Sequence, residues 1–428
     1  MKTNQRQTPW QMVLILFFIT SAVESISMSH VFAFMPVYLQ SIHVPHVETW
    51  VGILSAITFV VGLPFVPLWG VWAQRYGGKL VVMRSAYVEM VVLVTLGLSH
   101  SLLGIFIAMA LVGFQLGNTG IMLAAIRQAA PDGKVGFAVS VFSVSSSIGM
   151  AGGPLIGGLV TGLHLLNLHG LYIFDGVLSF VTGTMLLLFY KQPQLDSPAA
   201  PSKSVSGMTI TEPVRQSAWT VAWHSIRFTF SLRVTWALFS IYSVLMMARQ
   251  MINPYLPIAI EHLPLHSVSA TVSIGGLMGF SAVIGAVITV FAGRIGDKVG
   301  FNRILMAAFV CLLPASLVLG WSHSVLWFTV GLTVFSAGLS IGGAMVFALF
   351  STRIPETHRS TALNLVYLPL YFGGIIGPAI ASLLTRMGLF GPFLGAGVLF
   401  ALAIVVTIVT RRHTANVPHG EAAAPVTG

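Results

Sequence analysis

Residues Ser147 to Gly158 read SIGMAGGPLIGG, inside an apolar run from Phe137 to Leu163. Gly149, Gly153 and Gly157 recur every fourth residue, so a helix places them in one row, a groove with no side chains along which a second backbone can lie. Pro154 removes one intrahelical hydrogen bond at the same level. A bilayer tolerates that only where neighbouring protein satisfies the freed carbonyl. With Gly158 beside Gly157, the stretch predicts a bent helix buried among other helices. A generic small-residue helix contact is the plain alternative, because small residues spaced by four are common in membrane helices.

Composition supports a membrane setting. Of 428 residues 56% are hydrophobic and 7% charged, with a mean hydropathy of +0.89, far from a soluble domain. A hydrocarbon core of about 30 Å takes about 20 helical residues, leaving room for roughly twelve crossings. In the first half they read as Trp10 to Tyr38, Val51 to Trp69, Leu80 to Leu98, Leu103 to Ile126, Phe137 to Leu163 and Leu171 to Tyr190. In the second they read as Val234 to Ile260, Ala270 to Ala292, Ile304 to Trp321, Val325 to Phe350, Ala362 to Leu384 and Phe390 to Thr410. The first run is too long for a signal peptide, carries Glu24 and lacks a clear cleavage site, so it is expected to stay as a span.

Between the halves, residues 191–231 open with KQPQLDSPAAPSKS, a linker with too little apolar surface to pack. Its end, from Trp219 to Phe230 among Arg215, His224 and Arg227, suits the headgroup layer. The expected domains are thus 1–190, the linker 191–231, 232–410, and a disordered tail at 411–428. Of the 21 Lys and Arg residues all but Arg249 and Arg386 fall on one side of this layout, Arg84 included. By the positive-inside rule that side, with both termini, is the cytoplasm. The basic charge is then a topology signal and implies no nucleic acid.

The halves repeat one another. Gly70, Gln74, Arg75 and Gly77, in GVWAQRYGGK ending at Lys79, match Gly293, Asp297, Lys298 and Gly300, in GRIGDKVGFNR ending at Arg303, at an offset of 223. Pro154 matches Pro378, within a run that includes Gly373 and Gly377, and Pro131 matches Pro355, both at 224. Two matched sets of six spans predict a duplicated carrier with a site at mid-membrane between them.

These loops resemble the G-x-x-x-D-R-x-G-R-K signature of the major facilitator superfamily, and G-x-x-x-G-P-x-x-G-G resembles the antiporter motif of its drug:proton exchangers. The chain as a whole resembles the twelve-span bacterial multidrug efflux members. That resemblance implies an all-α fold of two pseudo-symmetric six-helix bundles rocking about a cavity, with spans 1, 4, 7 and 10 lining it. It also implies that a loop carboxylate faces a helix N-terminus of the opposite half and holds the cytoplasmic side closed. Gln74 brings no charge there, so the gate is expected to rest on Asp297, facing the start of span 5 near Gly136; pairing of Asp297 with Lys298 or Arg294 is the plainer reading. Gly113 stands where many relatives carry a buried Arg, and Gly117 keeps the following glycine.

Glu24 lies 14 residues past Trp10, roughly 21 Å along a helix axis, near mid-membrane. An anion there is costly until a proton or a cation neutralises it, which suits a proton carrier; a permanently protonated or internally paired carboxyl is the alternative. Glu89 lies in span 3, which the resemblance places on the periphery, and reads as structural, with Arg84 or a neighbouring helix as partner, rather than as the proton carrier; Asp175 reads as close enough to the outer surface to be hydrated. Arg249 is placed to bind an anionic group, pair with Glu24 or snorkel outward. Gln115, Asn118, Tyr242 and Met246 offer a mixed polar and apolar lining that suits varied ligands. Eight of the 13 histidines fall in predicted outer loops without metal-ligand spacing, and His30, six residues from Glu24, shares no face with it. No phosphate loop, nucleophile set, cofactor motif or metal site appears, and the lone Cys311 excludes an intrachain disulfide.

The expectation is a non-enzymatic, monomeric carrier in the cell membrane that exports lipophilic, cationic small molecules in exchange for protons. A proton-coupled carrier of one metabolite or sugar, or a lipid flippase or transporter-like receptor, are the alternatives.

Overall fold

The computed structural model describes residues 8–131, 133–192, 233–265, 268–353 and 368–415. Most of the predicted linker, the interfacial segment, Pro355, the first residues of span 11 and the end of the tail lie outside these, as does the side chain of Gln74. Among the described residues the secondary structure is helical, with no strand.

Span 1 is Trp10–Ser41, span 2 Val47–Tyr76, span 3 Gly78–Leu98, span 5 Val135–Gly162 and span 6 Leu168–Phe189. Spans 8 to 12 are Ala270–Val299, Phe301–Trp321, Val325–Arg353, Leu368–Leu384 and Phe390–Ala415. Span 12 thus continues a turn past the predicted Thr410. Two crossings are interrupted. Span 4 consists of 4a, Leu102–Gln115, and 4b, Thr119–Ala129, where a continuous helix was expected. Span 7 runs Arg233–Ile252, tightens into a 3₁₀ turn at Asn253–Tyr255 ahead of Pro257, and resumes as Leu256–Glu261. Counting span 4 once, eleven crossings are long and apolar enough for a bilayer without span 7.

Helix starts follow from side-chain caps that satisfy orphan N–H groups. Ser101 accepts from the Gly104 N–H at 3.3 Å and Asn167 from the Gly170 N–H at 2.8 Å. The loop repeat reappears as backbone geometry. Spans 2 and 8 both end on a glycine in the left-handed region, Gly77 at φ 96° and Gly300 at φ 99°. Each donates to the carbonyl four residues back, Ala73 at 3.0 Å and Gly296 at 2.8 Å. A side chain would strain either turn.

The glycine rows set the packing. Span 5 lies on span 1, and a Cβ on Gly149 or Gly153 would stand 3.0 Å from the carbonyl oxygen of Ala22 or Ile26. Span 11 lies on span 7 in the same way, with Gly377 held to 2.6 Å of the Met247 carbonyl by that measure. Across the halves, Gly158 faces Thr271 and Gly275 of span 8, while Gly52 of span 2 faces Tyr255 and the Pro378 carbonyl.

These cross-half contacts gather at one end, where the Gln40 amide also donates to Glu261 Oε2 at 2.9 Å. Cross-half contacts reach inward as far as Phe59 against Tyr371, whereas at the basic end a Cβ on Gly136 of span 5 or Gly293 of span 8 meets nothing within 4 Å. The molecule is closed at one face and splayed at the other.

Candidate functional site

The break in span 4 organises the site. Leu116 turns extended, with ψ 156°, and Gly117 takes φ 95°, a conformation that needs glycine. The last carbonyls of 4a then lack helical partners at lipid depth. Span 3 supplies donors: Ser85 Oγ donates to the Gln115 carbonyl at 2.9 Å, and Arg84 Nη2 approaches the Gln115 and Leu116 carbonyls at 3.4 Å. The guanidinium carbon lies 3.3 Å from the ring centroid of Trp69, a cation–π contact. Arg84, grouped by sequence with the cytoplasmic charges, therefore points into the protein.

Gly113 shows why the basic group comes from span 3. A Cβ there would stand 2.7 Å from the Gly62 nitrogen and 2.8 Å from the Thr58 carbonyl oxygen. No arginine fits at position 113.

Glu24 is half-buried and turned into this break. Asn118 Nδ2 donates to its Oε2 at 2.7 Å and Gln115 Nε2 to its Oε1 at 3.3 Å. The carboxylate thus bridges the end of 4a and the start of 4b, with Arg84 in electrostatic range. Three residues singled out by separate sequence arguments, Glu24, Gln115 and Asn118, meet in one hydrogen-bonded group. Two neutral amides and a neighbouring cation offset the cost of an ion at this depth without fixing it in an ion pair.

Two further acids sit in the same half, and both correct the sequence reading. Glu89 is 2% exposed and its Oε1 has no hydrogen-bond partner among the described residues. The expected pairing with Arg84 is not made, because Arg84 is committed to the carbonyls of 4a. Glu89 lies instead within electrostatic range of Glu24 and Asp175. Asp175, expected near the surface, is 1% exposed. It meets His30, to which sequence assigned no role: His30 Nδ1 lies 2.7 Å from Asp175 Oδ2, and His30 Nε2 lies 2.8 Å from the Gly153 carbonyl oxygen. No local pattern announces a pair 145 residues apart. The spacing of small residues that packs span 5 on span 1 was the available signal.

The other candidates lie elsewhere. Tyr242 and Met246 are buried in the second half, Tyr242 edge-to-face with Phe347 and Met246 against Gly373. Arg249 does not pair with Glu24; the group in its electrostatic range is Tyr242. Lys79 Nζ donates to the Leu187 carbonyl at 2.7 Å, tying the first loop to the end of span 6. Asp297 is exposed, and in this splayed arrangement no hydrogen bond or ion pair links it to a described residue.

Comparison with known proteins agrees with this architecture. The family model described as Major Facilitator Superfamily matches residues 15–356 and 238–427. The multi-drug resistance efflux pump PmrA of Streptococcus pneumoniae is 26% identical over 369 residues, 83% of this chain and 85% of that protein. The multidrug resistance protein MdtG of Enterobacter lignolyticus is 24% identical over 415 residues, 95% of this chain and 93% of that protein. Among solved structures, a bacterial homolog of the human lysosomal transporter Spinster, in an inward-facing and unoccupied conformation, superposes with a TM-score of 0.76 at 12% identity, covering 95% of this chain and 98% of that one. The nucleoside transporter NupG superposes with a TM-score of 0.73 at 14% identity, covering 94% and 99%. These two share the fold. With the paired glycine turns, the twin glycine rows and a match over most of its length, this multi-pass membrane protein belongs to the Major Facilitator Superfamily.

Proposed function

We propose that this chain exports lipophilic, cationic small molecules across the cell membrane in exchange for protons, with Glu24 carrying the proton. The observation that carries this reading is the half-buried Glu24 carboxylate, held by two neutral amides at a break in span 4. Both termini are assigned to the cytoplasm, which makes the splayed basic end the cytoplasmic mouth.

In the ionised form Glu24 accepts from Asn118 and Gln115 and attracts a cation. A proton arriving on the carboxyl removes that charge, so the hold on a cationic guest weakens and the guest leaves. Loss of the proton to the cytoplasm restores the site. The amides hold the side chain in place through both forms, and Arg84 tempers the charge without cancelling it. The names of the relatives, a multi-drug resistance efflux pump and a multidrug resistance protein, support export of drugs, and the preference for cations rests on the charge of Glu24.

The test is extrusion of a fluorescent lipophilic cation from everted membrane vesicles under an imposed pH gradient. Wild type should extrude while the gradient lasts, and Glu24→Gln should lose extrusion at unchanged protein level. Extrusion that ignores the gradient, or survives Glu24→Gln, overturns the reading. Inactivity across a broad panel of cations would favour a dedicated metabolite carrier or a flippase.

A further inference from the structure

We propose that His30 and Asp175 form a second proton-binding site, distinct from Glu24, whose occupancy fixes how span 5 is held against spans 1 and 6. The site itself stands on geometry. The exchange of its proton during transport rests on the proton-coupled reading above.

The hydrogens at this pair can be counted. The Gly153 carbonyl oxygen can only accept, so the 2.8 Å contact requires a hydrogen on His30 Nε2. The 2.7 Å contact between Nδ1 and Asp175 Oδ2 requires one hydrogen shared between those atoms. Both contacts coexist when the ring is an imidazolium beside a carboxylate, or a neutral ring beside a protonated acid. The total is the same in the two descriptions, so the conclusion does not depend on the tautomer. Remove one proton and the ring keeps a single N–H. It then serves Asp175 or Gly153, and the other contact becomes a lone pair facing an oxygen.

What is lost matters mechanically. His30 belongs to span 1, Asp175 to span 6 and Gly153 to span 5. Gly153 immediately precedes Pro154, whose carbonyl oxygen lies against Gly275 of span 8 in the other half. Losing the Nε2 contact unties span 5 from span 1 next to the seam between the halves. Losing the Nδ1 contact leaves Asp175 as a bare buried anion. Few groups are placed to take over the proton. From span 3 Glu89 faces Asp175, and from span 6 Tyr172 lies within its range, with Tyr38 of span 1 next to Tyr172. Span 5 carries no titratable side chain between Val135 and Gly162. Those of span 8, Arg294, Asp297 and Lys298, stand at its splayed end, and Glu261 of span 7 meets Gln40 at the closed end of span 1.

The substitution Asp175→Asn separates this role from plain packing. The amide nitrogen it introduces donates to His30 Nδ1 while Nε2–H still donates to Gly153, so both contacts form with a neutral ring and no exchangeable proton. The variant holds the occupied geometry permanently.

The experiment reads the distance between spin labels at Ser143→Cys of span 5 and Val290→Cys of span 8, with Cys311→Ala, in full-length protein in lipid nanodiscs across pH. In an otherwise wild-type background the distance should respond to pH. Glu24→Gln should leave part of the response, whereas Asp175→Asn should lose that part, which stays at its low-pH value at every pH. His30→Gln, whose amide can donate to Gly153 without titrating, should lose the same part. Combining Glu24→Gln with Asp175→Asn should abolish the response. A response that is absent before these changes, or intact in both Asp175→Asn and His30→Gln, overturns the proposal. If Glu24→Gln removes the whole response, this site fails while the Glu24 reading stands. If it leaves extrusion intact while Asp175→Asn abolishes the response, the Glu24 reading fails and this one stands.

Discussion

The glycine row of span 5 and that of span 11 are the same device packed on unlike partners. In the first half Gly149, Gly153 and Gly157 press on Ser25, Ser29 and His30. In the second, Gly373 and Gly377 press on the backbone of Met246, Met247 and Met251. The acids follow the same division. From Glu24 the residues 223 and 224 further on are Met247 and Ala248, from Glu89 Leu312 and Leu313, from Asp175 Val398 and Leu399. The close helix approach recurs in both halves, whereas the mid-span acids Glu24, Glu89 and Asp175 have apolar residues at the matching positions of the second. The second half offers packed backbone where the first carries its buried acids.

The sharpest way to break this comparison is to remove the acid at its centre. Glu24→Gln should reduce gradient-driven cation extrusion by about 100-fold or more, on the order of the two to four decades typical for loss of a proton-transfer group. Met247→Ala, in the matching position, should leave the response to the gradient in place.

The packed backbone itself is probed by bulk. A methyl at Gly377 meets the Met247 carbonyl oxygen at 2.6 Å, a backbone atom with nowhere to go. Gly377→Ala should cost about 1–3 kcal/mol, seen as earlier thermal unfolding in detergent. Gly153→Ala meets the Ser29 hydroxyl, which can rotate away, and the Ile26 carbonyl oxygen at a looser 3.0 Å, so its cost should be smaller than that of Gly377→Ala. If the two lose equally, the rows are not packed as differently as described.

Arg84→Lys sharpens the role of the break in span 4. A lysine brings one point charge where the guanidinium both reaches two carbonyls and covers the Trp69 ring. We expect a loss of about 1.5–3 kcal/mol in stability and reduced extrusion that Gly113→Arg does not rescue.

The smallest effect should come from the gate. If Asp297 meets the start of span 5 in the oppositely open state, Asp297→Asn removes a charge–dipole term of about 0.3–1 kcal/mol and shifts the Ser143–Val290 distance distribution toward the splayed form. An unchanged distribution and unchanged extrusion would remove Asp297 from the gate.

The spans, the repeat and the glycine row were legible because each is written in short-range spacing: apolar length, an offset of 223 or 224, residues every fourth place. Glu24 was legible because an acid in an apolar run has a depth. The break at Leu116–Asn118 was not, since Gln-Leu-Gly-Asn sits in an apolar run and Gly117 alone does not specify a left-handed turn. The fates of Glu89, Arg84 and Asp175 depended on side chains meeting between helices far apart in sequence. Asp175 was also misread, because counting from Leu171 ignored that His30 of span 1 covers it.

The two pieces of span 4 answer to different neighbours: 4a packs on spans 2 and 3, whereas 4b sits among spans 1, 3 and 5. Gly117 therefore works as an elbow whose upper arm also rests on span 2 and whose forearm also rests on spans 1 and 5, with span 3 against both. A swing of 4b relative to 4a would spread the Asn118 and Gln115 fingers on Glu24, so the grip on the carboxylate would register posture directly, without a messenger in between.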